Sequence, residues 1–108
     1  MKELEIIYKI LNALRKAMDI EEPSVFPITA DGLKISEAKW ARLIKMLHDN
    51  GYIEGIVVIE VDNAPYPHIV LDNPAITLKG LEYLEENSIM KKLANAASGV
   101  ISAVGSIK

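Results

Sequence analysis

Four cations stand close together in the middle of the chain. They are Lys34, Lys39, Arg42 and Lys45, and within 34–45 only Glu37 opposes them. Lysine and arginine in such a cluster can touch phosphate oxygens, and arginine can also pair with the edge of guanine. Residues 39, 42 and 45 repeat at every third position, so on a helix they share one broad face. That face lies opposite an apolar stripe of Trp40, Leu43, Ile44 and Leu47. The four cations are therefore DNA-contact candidates if this segment is a recognition helix, which can lie in the major groove. The competing reading is a solvated helix face, charged as such faces commonly are.

Other chemistries find less to work with. His48 and His68 fall on different elements and have no ligand-spaced partners. A metal site usually needs three or four convergent ligands, so no metal site is expected. Glu82, Glu85 and Glu86 sit at helical spacing beside Lys79 and read as a solvated face rather than as paired catalytic carboxylates. Gly51 and Gly55 stand alone, without the lysine and serine of a phosphate loop. No serine has a matching histidine and acid in a recognisable context. The expectation is a chain with no catalytic residues, no cofactor and no small-molecule substrate.

The segment after the basic cluster argues against DNA. From Tyr52 to Ile76 there is no lysine or arginine, while Glu54, Glu60, Asp62 and Asp72 are present. A wing that follows a DNA backbone normally offers it cations. The stretch 63–68 forms a tip of low charge, with Asn63, Tyr66 and His68 as interaction candidates. Aromatic residues at such tips are favoured protein contacts. An ordinary turn with a packed tyrosine is the plainer alternative.

The elements that must position these residues can be read from caps and periodicity. Residues 2–19 form an amphipathic helix, with Leu4, Ile7, Leu11, Leu14 and Met18 on its apolar face. Glu21, Glu22 and Pro23 end it. A short helix is expected near 29–33, capped by Thr29 or Asp31. Ser36 caps the next helix, with Ile35 and Trp40 placed as a hydrophobic staple. Asn50-Gly51 ends that helix, glycine suiting the left-handed position. Residues 52–61 are rich in β-branched side chains and read as a strand, and 66–71 as the returning strand. Pro65 and Pro67 fit only an edge or a loop. Thr77 caps a further helix, with Ile76 and Leu81 as its staple.

Length and composition bound the whole. The chain has 108 residues, which suits one domain. Half of them are hydrophobic and a quarter charged, enough for a core and too apolar for a disordered chain. There are no cysteines, so disulfides and cysteine–zinc sites are excluded. The net charge of −3 argues mildly against a dedicated nucleic-acid binder. Glutamates break up the N-terminal segment, and no run approaches the length of a membrane span, so a cytoplasmic protein with no membrane partner is expected.

A domain over 1–93 is followed by an Ala/Ser/Gly-rich tail over 94–108. Leu93, Ala97, Val100, Ile101, Val104 and Ile107 make an apolar helical stripe there. Leu93, Val100, Ile101 and Val104 are candidates for self-association as a homodimer. Packing of the tail within one chain is the alternative.

The order is helix, short connection, helix, hairpin, helix. This is an α+β layout of the winged helix-turn-helix kind, with 24–50 as the helix-turn-helix unit and 52–71 as the wing. From about Ile10 to Leu93 the sequence resembles the YjcQ family of small bacterial and phage proteins. The resemblance rests on the serine-started helix, the run HDNGYIEGI, the hairpin, and the run ITLKGLEYLEEN. It implies a winged-helix-like fold and an association with prophages, and it implies no catalytic residues. Two classes of function stay open: a small DNA-binding or regulatory protein using helix 36–50, and a protein-interaction or phage-assembly module without DNA binding.

Overall fold

The computed structural model describes residues 2–87, and they form an α+β, winged-helix-like fold. Helix α1 spans Glu3–Ala17. Its first turn carries Glu3 and Glu5 and its last turn Arg15 and Lys16, each complementing the helix dipole. A 3₁₀ turn at Phe26–Ile28 leads into α2, Ala30–Leu33, and then α3, Glu37–Asp49. Two antiparallel strands follow, β1 at Ile53–Ile59 and β2 at His68–Ile76. Among the described residues a further helix, α4, covers 78–87.

The helix starts follow from local side-chain chemistry. Thr29, Ser36 and Thr77 each accept a first-turn N–H through the side-chain oxygen, from Gly32, Lys39 and Gly80. Of the two caps open for α2, Thr29 is the one used. At the end of α3, Gly51 takes φ +81°, and the N–H groups of Gly51 and Tyr52 donate to the carbonyls of His48 and Leu47. This pairing satisfies carbonyls that the helix itself leaves free. Thr77 also donates its hydroxyl to the Gly51 carbonyl at 2.6 Å, tying the start of α4 to the end of α3.

The core lies between α1, α3 and the inner face of the hairpin. Ile6, Ile10, Leu11 and Ile44 are its most completely enclosed side chains. Trp40, Leu47, Ile53, Ile56, Ile69, Ile76 and Leu84 join them. The buried face of α1 is Ile6, Ile7, Ile10, Leu11 and Leu14, which corrects the expected stripe at both ends. Leu4 lies in the first turn and Met18 at the C-cap, and they remain 68% and 64% exposed. Trp40 donates its indole N–H to the Ile28 carbonyl at 2.6 Å in a buried setting, joining α3 to the 3₁₀ turn. Trp40→Phe orphans that carbonyl and is expected to cost about 1–3 kcal/mol, read as a lowered urea midpoint.

The hairpin is longer on its return side than expected. β2 begins at His68 rather than Tyr66, because Pro65 and Pro67 have no N–H to give the ladder. It runs on to Ile76 through a bulge. Glu54 pairs with Ala75 and Ile56 with Leu71, so Gly55 alone faces Asp72, Asn73 and Pro74. Gly55 sits at φ +76°, and a Cβ there would lie 2.2 Å from the Asn73 carbonyl oxygen. The bulge lets Ile53 and Ile56 both face the core, although three residues of regular strand would send them to opposite sides.

Candidate functional site

The four DNA-contact candidates do not form one patch of free cations. Lys39 Nζ lies 2.9 Å from Glu3 Oε2 on α1, and the hydrogen bond holds the Glu3 carboxyl below the usual carboxylate range. Lys45 Nζ lies 2.7 Å from Asp49 Oδ2, one turn along α3. That contact lowers the Asp49 pKa and raises that of Lys45. Both pairs are exposed, so water screens them and another anion can replace the partner at small cost. Arg42 donates through Nη2 to the Pro65 carbonyl at 2.9 Å, which links the exposed side of α3 to the wing tip.

Lys34 belongs elsewhere. It occupies the C-terminal end of α2 in the left-handed conformation, at φ +60°. There it borders a groove against α1, together with Lys9 and Lys16. The cluster seen in the sequence is thus divided between two surfaces.

The wing tip is mostly exposed, and only Tyr66 and Pro67 turn towards the fold. The Ala64 N–H donates to the Val61 carbonyl, and Asn63 takes φ +66° within that turn. Asn63 and His68 are exposed, whereas Tyr66 is half-buried against the core. Tyr66 therefore offers part of its ring to the fold and part to solvent. Glu37 of α3 lines a shallow depression with Val61 and the 64–69 segment.

The outer face of the hairpin is the surface that the sequence reading did not single out. Val57 pairs with Val70 and Ile59 with His68, and these residues point away from the core. Val57, Ile59, Val61 and Val70 are between 38% and 53% exposed. The signal was present in the run IVVIEV, where aliphatic residues occupy both alternating sets. A strand apolar on both faces must cover the outer one or leave it to water. Glu54, Glu60 and Asp62 are exposed along or beside the same strand.

The remaining titratable groups do not converge. Among the described residues no three of His, Cys, Asp and Glu are grouped to hold a metal ion. His48 faces Asp49 at 3.4 Å, and His68 lies on β2. Tyr83 packs edge-on against Tyr52, with ring centroids 5.5 Å apart, and burial raises its pKa. Lys79 Nζ sits 5.1 Å from the centre of the Tyr52 ring. Among the described residues no helix is long and apolar enough to cross a membrane. The self-association candidates Leu93, Val100, Ile101 and Val104 lie outside the described residues.

Comparison with known proteins gives one family. The model described as YjcQ protein matches residues 8–101, which carries the likeness past Leu93 into the apolar tail. A solution NMR structure of the YjcQ protein from Bacillus subtilis is similar, at 26% identity. The alignment covers 77% of this chain and 92% of that one, with a TM-score of 0.47. No curated protein matches.

Proposed function

The chain belongs to the YjcQ family, and from that premise we propose that it is a non-enzymatic protein-binding module whose contact surface is the outer face of the β1–β2 hairpin. The observation that carries the reading is the exposed aliphatic set Val57, Ile59, Val61 and Val70 on a wing without a single cation. Contiguous apolar surface rimmed by polar residues is what protein partners bury. The flanking Glu54, Glu60 and Asp62 favour a partner with basic side chains at its rim. The family resemblance implies an association with prophages, which makes phage or prophage proteins the first partners to test.

DNA binding through α3 fits the geometry less well. Lys39 and Lys45 would each exchange an exposed carboxylate partner, at small cost, but Arg42 is engaged by the wing and Lys34 lies on another surface. All fifteen acidic residues of the chain fall within 2–87, while Lys91, Lys92 and Lys108 follow that segment. The body is therefore more acidic than the whole chain, which disfavours a long polyanion such as duplex DNA.

Two measurements test the choice together. Fluorescence anisotropy of mixed duplex DNA, titrated with the full chain at low salt, is expected to stay flat. A photo-crosslinking residue at Val57 in living cells is expected to give a discrete protein adduct that Ile59→Glu removes. Micromolar DNA binding that weakens steeply with salt, with no adduct from position 57, returns the function to α3.

A further inference from the structure

The groove between α1 and α2 is a second binding surface, built from different elements than the hairpin. It encloses about 630 Å³ and is bordered by Lys9, Lys16 and Lys34. No carboxylate lines it. Glu21 and Glu22 line the neighbouring depression instead. Among the described residues the side-chain ammonium groups of these three lysines have neither an ion-pair nor a hydrogen-bond partner. The other basic side chains near them are occupied, Arg15 by Asn12 and Lys39 by Glu3. Three cations without a partner thus border one groove of an acidic body.

The floor of that groove is apolar. Ala13 and Ala17 supply it from α1 and Leu33 from α2, with Ile20 at one end. Lys9 and Lys16 are two turns apart on the same side of α1, about 10 Å along the helix axis. An extended peptide covers that distance in roughly three residues. Ala13 between the two lysines and Ala17 just past Lys16 are small, and they leave room for one apolar side chain.

We propose that this groove binds a short acidic peptide segment of a partner protein, in which carboxylates flank an apolar residue. The carboxylates meet Lys9, Lys16 and Lys34, and the apolar side chain rests on Ala13, Ala17 and Leu33. The apolar floor favours a peptide over nucleic acid, because a duplex would touch only the lysine rim.

The probe is a fluorescein-labelled peptide alternating Leu with Asp and Glu, titrated into the full chain and followed by anisotropy. Binding that weakens with salt is expected. Lys9→Gln with Lys34→Gln should weaken it roughly tenfold, a loss of about 1.4 kcal/mol. The exposed lysines make these variants safe for folding, which circular dichroism checks. Ala17→Leu, which fills the floor, should also weaken binding. Lys39→Gln with Lys45→Gln on α3 should leave it unchanged. Four outcomes overturn the proposal: no peptide binding, equal loss from the α3 variant, equal binding of a peptide with Gly and Ser in place of Leu, or tighter binding of duplex DNA through the same lysines. None of them bears on the adduct from position 57, so the two surfaces succeed or fail separately.

Discussion

Ile44→Ala is expected to lower the unfolding free energy by about 2–5 kcal/mol. Ile44 has no solvent exposure and lies on the face of α3 that meets α1 and the hairpin. Removing its outer carbons forfeits their transfer from water and leaves a hole that the surrounding isoleucines and leucines fill only in part. A domain of this kind has a total stability of about 5–15 kcal/mol, so the change can leave a sizeable fraction unfolded. Urea denaturation should show a lower midpoint at an unchanged slope. Met46→Ala on the same helix is the control, because Met46 is 52% exposed. Its effect should stay within roughly 0.5 kcal/mol. Equal effects of the two would mean that α3 does not pack as described.

Gly32→Ala should destabilise through the opposite fault. A Cβ at Gly32 would lie 2.0 Å from the Phe26 carbonyl oxygen and 3.0 Å from its carbon. The neighbour is backbone, so it cannot rotate aside as a flexible side chain would. Relief requires the 3₁₀ turn to move away from α2, which strains the Thr29 cap and the buried Trp40–Ile28 hydrogen bond. Overpacking of this sort costs about 1–3 kcal/mol, and the rigid neighbour places Gly32→Ala towards the upper end. Alanine's better helix propensity offsets at most about 1 kcal/mol. A urea midpoint equal to or above that of the unmodified chain would refute the close approach.

What the sequence made legible was local. Ser36 and Thr77 act as caps because a hydroxyl and an N–H three residues away need nothing else to find each other. Gly51 ends α3 for an equally local reason. The winged-helix-like layout followed from these punctuation points. The fate of the cations other than Lys45 did not, because their partners are remote in the chain. Lys39 meets Glu3 across 36 positions, and Arg42 meets the Pro65 carbonyl across 23. Lys34 joins Lys9 and Lys16 only once α2 has folded against α1. The end of β2 was missed for a related reason. The bulge opposite Gly55 interrupts the alternation that would mark residues 72–76 as strand.

Trp40 is the single tryptophan of the chain. Its indole rests in the core with its N–H on the Ile28 carbonyl, one residue beyond Pro27 at the border of the lysine groove. The molecule thus carries an intrinsic optical gauge. Emission from this one fluorophore reports, without any label, whether the segment that walls the groove is seated. A red shift marks its release into water, and a steady spectrum during a titration marks a wall that holds its place.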